Sequence, residues 1–176
     1  MQFKKLKPIL NRIGFIINLT TTKIIMALNI VLIEPEIPNN TGNIGRLALA
    51  SDSNLHLVKP FGFEIDDTRL KRAGLDYWQH LNVTYYDSID DFFSKNKHAK
   101  MAFLSSHGTQ THYDIPFEGD LFLIFGKESV GLPKQLIEKR QKQLYKIPLY
   151  SKQVRSLNLA NAVSIVIYEG LRQLKS

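Results

Sequence analysis

Short apolar runs recur along this chain, and turn-forming residues stop each of them. Leu28 to Ile33 (LNIVLI) is rich in β-branched residues and ends before Pro35 and Pro38, which predicts a buried strand. Leu55 to Val58, Val83 to Tyr86, Lys100 to Ser105, Leu121 to Phe125 and Tyr145 to Leu149 repeat the pattern. Longer polar–apolar segments lie between them and predict helices. Ile44 to Ala50 follows a turn-rich stretch in which Thr41 or Asn43 supplies an N-cap. Asp66 or Asp67 caps a helix through Arg69, Leu70 and Lys71, and Ser88 to Lys95 reads as a third. Pro133 opens a helix to about Gln143, with proline at a tolerated first-turn position. Leu157 to Leu174 is a long helix, apolar nearly all round in its first half and so expected to be buried.

Strands alternating with helices predict an α/β fold, with a mostly parallel sheet and helices on both faces. Ligands of such sheets sit beyond the carboxyl ends of the strands. The turn-rich motifs of this chain follow strands, where that rule places a site.

Composition changes this picture little. A chain of 176 residues, 44% hydrophobic and 22% charged, fits one globular domain. It has no cysteine, which excludes disulfides and thiolate zinc sites and suits a reducing compartment; the cytoplasm is the expected location, with no metal. The net charge of +7 points to nucleic acid, but its distribution weakens that argument. Lys4, Lys5, Lys7, Arg12 and Lys23, with no acid among them, make residues 1–27 account for five of the seven charges. That leaves about +2 on residues 28–176. The run Ile13 to Leu19 is interrupted by Asn18 and too short to span a bilayer, and no small-residue cleavage site follows it. Residues 1–27 read as a basic extension outside the fold, with Met26 a natural start, and no membrane association is expected.

Three segments carry candidate chemistry. The first runs Glu34-Pro35-Glu36-Ile37-Pro38-Asn39-Asn40-Thr41-Gly42-Asn43-Ile44-Gly45-Arg46. Its asparagines and glycines expose backbone N–H groups, and Arg46 follows on the helix. The segment is equally compatible with a capped strand-to-helix loop. Gly42 and Gly45 match a dinucleotide-binding glycine fingerprint only in part, which argues against an oxidoreductase. The second runs from Leu121 through Phe125-Gly126-Lys127-Glu128-Ser129-Val130-Gly131 to Pro133. Two glycines there would let a planar ligand approach the backbone, and Glu128 is a carboxylate at the mouth or, read alone, an exposed turn charge. The third is Ile147-Pro148-Leu149 followed by Arg155-Ser156-Leu157-Asn158-Leu159-Ala160-Asn161-Ala162. Ser156 can cap the last helix, but a capped core helix leaves the dense asparagines unexplained.

Taken in this order, the three segments resemble the SpoU (TrmH) branch of the SPOUT methyltransferases. Residues 28–176 resemble its small single-domain members that act on the tRNA wobble nucleotide. The likeness extends to Phe61-Gly62-Phe63, Asp67, Arg69-Leu70 and Arg72-Ala73-Gly74-Leu75-Asp76-Tyr77. It implies a deep trefoil knot near the carboxyl end, a rarity among folds. It implies S-adenosylmethionine held by backbone at Leu104, Gly126, Ile147 and Ser156, with Leu157 nearby. Asn40, Arg46, Glu128, Ser156 and Asn158 match the family's functional positions, and Tyr168 matches a tyrosine of the last helix. The implied reaction is methyl transfer to a ribose 2′-hydroxyl of tRNA, leucine tRNAs being the expected substrates, by a homodimer with its active site at the subunit interface. Two departures stand out: Lys127 replaces a proline of some members, and Asp52 replaces a usual glycine, a position aspartate tolerates in left-handed conformation. Ribosomal RNA methylation, and RNA binding without turnover, are the competing readings.

Overall fold

The computed structural model describes residues 27–63 and 76–175. The basic extension and the helix expected after Asp66 lie outside them. Among the described residues seven strands form one sheet: β1 (Asn29–Ile33), β2 (Asn54–Val58), β3 (Val83–Tyr86), β4 (Met101–Leu104), β5 (Gln110–Thr111), β6 (Phe122–Phe125) and β7 (Leu144–Lys146). Their spatial order is β3-β2-β1-β6-β4-β7-β5, and every pairing is parallel. The helices are α1 (Pro38–Ala50), α2 (Ile89–Lys95), α3 (Lys134–Lys139) and α4 (Leu159–Leu174).

Period-two alternation along the strands divides the core between two faces. Ile30 and Leu32 of β1 join Ile44 and Ala48 of α1 and Val163, Val166 and Ile167 of α4 on one face. Val31 and Ile33 join Phe92 of α2, Phe103 and Leu136 of α3 on the other. Every residue of β1 is buried, as a central parallel strand requires. Each such aliphatic side chain contributes roughly 1.5–3 kcal/mol by leaving water.

The chain leaves β1 toward β2 on one side, whereas β6, the other neighbour of β1, leads by α3 to β7 on the opposite side. The carboxyl ends of β1 and β6 therefore flank the point where the sheet's winding reverses. Open α/β sheets place their ligand crevice there.

Several boundaries differ from expectation. Helix α1 begins at Pro38 rather than Ile44, with Ile37 at its N-cap and no side-chain cap from Thr41 or Asn43. Its opening turns are poor helix formers, so tertiary contacts described below hold them. Helix α4 begins at Leu159, and its N-cap is Asn158 rather than Ser156. Nor is α4 buried all round, since Ile165 and Tyr168 are exposed. Helix α3 stops at Lys139, and a 3-10 turn spans Gln141–Gln143. Strand β7 ends at Lys146, leaving residues 147–158 irregular. Strand β5, two residues on the sheet edge, has no apolar run to announce it. Asp52 does adopt the left-handed conformation, at φ 52°, just past the end of α1.

Candidate active site

The loop after β1 and the loop after β6 are laced reciprocally. Glu36 accepts hydrogen bonds from the Ser129 backbone N–H and hydroxyl, both at 3.0 Å. Glu128 accepts in return from the backbone N–H of Glu36 at 2.8 Å and of Ile37 at 3.3 Å. Lys127 reaches back to Glu34 at 3.0 Å. The Ser129 bonds hold the Glu36 carboxyl below its ordinary pKa, and the Glu34 carboxylate raises that of Lys127. Glu34 itself bends the chain out of β1 at φ 49°, a conformation costly for a side chain with a Cβ and stored where the surroundings over-determine it.

Glu128 also solves a problem at α1. That helix carries no acid in its first turn and no capping side chain of its own. The carboxylate delivered from the β6 loop satisfies the N–H groups of Glu36 and of the N-cap residue Ile37, just before the helix, and brings negative charge to the positive end of the helix dipole. It accepts a further bond from Asn40 Nδ2 at 2.9 Å. Asn40, buried, accepts in turn from Asn158 Nδ2 at 2.9 Å. Asn158 Oδ1 then caps α4 by accepting from the N–H groups of Ala160 and Asn161. A single polar chain, Glu128–Asn40–Asn158, thus joins the three sequence motifs. Each asparagine presents its oxygen to one neighbour and its amide nitrogen to the other, which fixes both amide orientations.

The expected cofactor edge is contiguous. Strands β6, β4 and β7 are neighbours, with Leu104 in register with Phe125 on one side and Tyr145 on the other. Leu104, Gly126 and Ile147 therefore lie at the carboxyl ends of three neighbouring strands, Gly126 one residue and Ile147 two residues past the positions paired with Leu104. Leu157 is half-buried beyond them, whereas Ser156 is exposed and takes no part in the polar chain. Apolar side chains beside strand-end backbone suit an adenosyl group, which needs a flat apolar seat and a few placed hydrogen-bonding groups. Among the described residues no cluster of histidine and carboxylate could hold a metal.

The glycines of this loop act differently from expectation. A Cβ on Gly126 would lie 2.1 Å from the Gly131 carbonyl carbon. The space beside Gly126 is filled by the loop's own return, closed by the Gly131 N–H to Lys127 carbonyl bond at 2.9 Å. Gly131 adopts φ 74° with open space beside it. The pair closes a tight loop rather than clearing room for a ligand.

Arg46 is not drawn into the polar chain. Six residues along α1 from Asn40, it lies about 120° round the helix. Its exposed guanidinium stands over the Tyr77 ring, 4.8 Å from the centroid. The Tyr77 hydroxyl donates to the Gly42 carbonyl at 2.6 Å, fixing that platform against α1. Sequence reasoning named Asn40, Glu128 and Asn158 but missed Glu36 and Ser129, whose pairing has no signal before the loops are folded together.

The chain is similar to known proteins over most of its length. Residues 27–168 match the SpoU rRNA Methylase family. A tRNA (cytidine(34)-2′-O)-methyltransferase of Saccharophagus degradans is 44% identical over 148 residues, covering 83% of this chain and 95% of its own. A solved structure concerned with the 2-OH methylation of C/U34 on tRNA superposes with a TM-score of 0.79 at 41% identity, covering 85% of this chain and 97% of its own. An AdoMet-bound rRNA methyltransferase from Sinorhizobium meliloti superposes at 0.73 with 25% identity, covering 85% of this chain and 57% of its own. With its all-parallel sheet, its laced loops at the winding reversal and its three motifs joined by one polar chain, this protein belongs to the SpoU methylase family.

Proposed function

We propose that this chain moves a methyl group from S-adenosylmethionine to the ribose 2′-hydroxyl of the wobble nucleotide of tRNA, cytidine or modified uridine at position 34, with leucine tRNAs as its substrates. The observation that carries the reading is the convergence of Asn40, Glu128 and Asn158 beside the Leu104–Gly126–Ile147 edge. A relative covered over 95% of its own length is named a tRNA (cytidine(34)-2′-O)-methyltransferase. S-adenosylmethionine, when bound, supplies an electrophilic methyl on a sulfonium leaving group.

The protein's task is then to position and activate an unreactive hydroxyl. Alignment of the hydroxyl with the methyl group supplies much of the rate. Backbone at Leu104, Gly126, Ile147 and Ser156, with Leu157, holds the cofactor. Asn40, Glu128, Ser156 and Asn158 set the shape of the substrate pocket. Glu128 works through Asn40, because its oxygens already accept three hydrogen bonds. Arg46, a delocalised guanidinium suited to holding oxyanions, orients the ribose–phosphate and stabilises developing alkoxide charge rather than acting as the base.

The reading includes a homodimer whose active site is completed across the two-fold axis. The separation of Arg46 from the polar chain supports it, as do the exposed Ile165 and Tyr168 on α4. The family's trefoil knot belongs to the same reading. It is supported by the insertion of β6 between β1 and β4, of β7 between β4 and β5, and by the packing of α4 on α1. The tRNA substrate supports a cytoplasmic location. Residues 1–27 form a dispensable extension and 28–176 the methyltransferase domain; a chain starting at Met26 keeps full activity.

Mapping 2′-O-methylation across a tRNA pool after incubation with enzyme and labelled cofactor tests the proposal. New methylation at position 34 is the expected result, and an unchanged wobble ribose overturns it.

A further inference from the structure

Between β7 and α4 the chain runs irregularly across the carboxyl edge of the sheet, from Ile147 to Asn158. Residues 149–156 are all exposed and contain two cations, Lys152 and Arg155, and no acid. Tyr150 is the extreme case, 93% exposed. A tyrosine ring is amphipathic and ordinarily buries much of its area. Here it projects from a loop whose one internal constraint is a turn, the Gln153 N–H donating to the Ser151 hydroxyl at 3.2 Å. The two ends of the loop are anchored at the functional centre: Ile147 on the expected cofactor edge and Asn158 in the polar chain.

An exposed aromatic ring flanked by cations, with no carboxylate to compete, has the chemistry of a single-stranded RNA contact. Unpaired bases offer π faces to aromatic side chains, and their phosphates offer charge to lysine and arginine. An unpaired loop nucleotide that brings its ribose to the strand ends presents its base to the surface beside them. A ring on the loop that joins β7 to α4 can receive that base or its neighbour.

We propose that Tyr150 is a stacking platform for an unpaired base of the RNA substrate, with Lys152 and Arg155 holding the adjoining phosphates. The inference rests on the function proposed above and adds to it the part of the surface that recognises unpaired nucleotides. Tyr150 is a positioning residue, and its ring rather than its hydroxyl does the work.

The test uses the full chain and two RNA probes: an anticodon stem-loop with 2-aminopurine in the loop, and a blunt duplex of the stem alone. Titration of wild type should quench 2-aminopurine fluorescence as the base stacks. Tyr150→Ala should lose that quenching and weaken stem-loop binding on the order of tenfold. Its affinity for the duplex and for S-adenosylmethionine should stay within about twofold of wild type, and Tyr150→Phe should behave as wild type. In methylation assays the loss should appear in KM for RNA rather than in kcat. Unchanged stem-loop affinity in Tyr150→Ala, an equal loss on duplex, or a Phe variant as impaired as the Ala variant overturns the proposal. A parallel fall in cofactor affinity overturns it too, by assigning the loop to the cofactor. Wild-type enzyme that methylates the wobble ribose while Tyr150→Ala binds normally sinks this inference alone; wild type that binds neither probe sinks the parent function with it.

Discussion

Asn158 donates a hydrogen bond from its side-chain nitrogen to the side-chain oxygen of Asn40 at 2.9 Å, across a sequence separation of 118 residues. With Glu128 on its other side, Asn40 is held from two directions while it sits in the first turn of α1. Its replacement should therefore be felt in both stability and catalysis. Asn40→Ala removes both bonds and leaves polar partners unsatisfied, for a cost of about 1–3 kcal/mol. Urea denaturation should report that loss, with activity falling at least tenfold. Asn40→Asp should differ in a telling way, because it sets a second carboxylate against Glu128. One carboxyl of such a pair has its pKa raised in the folded state. Stability is then present at acid pH and lost as pH rises through that value, so the Asp variant should approach wild type only at low pH.

Arg46 separates two roles. If it stabilises charge on the 2′-oxygen, Arg46→Ala should lose activity by a factor on the order of a hundred or more. Arg46→Lys should keep a measurable fraction, since positive charge remains. Cofactor affinity, measured by calorimetry, should stay within about twofold for both; a large fall would refute the assignment. Tyr77→Ala, which removes the ring beneath the guanidinium, should lower activity without abolishing it.

Gly126 and Gly131 should respond differently to alanine. At Gly126 the new Cβ meets backbone at 2.1 Å, so the loop after β6 must move. Loss of cofactor binding by more than about tenfold is expected, because the moved segment carries the proposed cofactor edge. At Gly131 the space is open and only the φ of 74° is unfavourable, a strain of about 1–2 kcal/mol. That variant should be less stable yet still bind cofactor. Equal behaviour of the two would contradict the loop-closure account.

His56 makes the folded state sensitive to acid. It lies buried in β2, with Nδ1 3.0 Å from the Tyr86 hydroxyl and Nε2 3.1 Å from Asn29 Oδ1. Burial pushes its pKa down from 6.5 to about 4. The unfolded chain therefore binds a proton that the folded chain refuses. Stability is full above about pH 6.5 and falls as pH drops toward 4. A shift of this size corresponds to about 3 kcal/mol. Unfolding free energies across that range should show the decline, and His56→Gln should flatten it.

The division between what is written along the chain and what folding decides follows contact range. Apolar runs such as Leu28 to Ile33 and Leu121 to Phe125 determine strands because burial on both faces demands continuous hydrophobicity, a local property. The capped segment from Ser88 was legible for the same reason: its cap, Ser88 Oγ accepting from the Asp91 N–H at 3.0 Å, spans three residues. The three motifs and their order also lie on the surface of the sequence, and with them the family. Where α1 begins was not legible, because its asparagine-rich first turns are held by Glu128, a residue far along the chain. Strand β5 was invisible because two edge residues need no apolar pattern. The sheet order, the lacing of Glu36 with Ser129 and the placing of Arg46 over Tyr77 rather than beside Asn40 were settled only by tertiary structure. Each depends on bringing distant segments to one sheet edge, and no residue carries that information by its own chemistry.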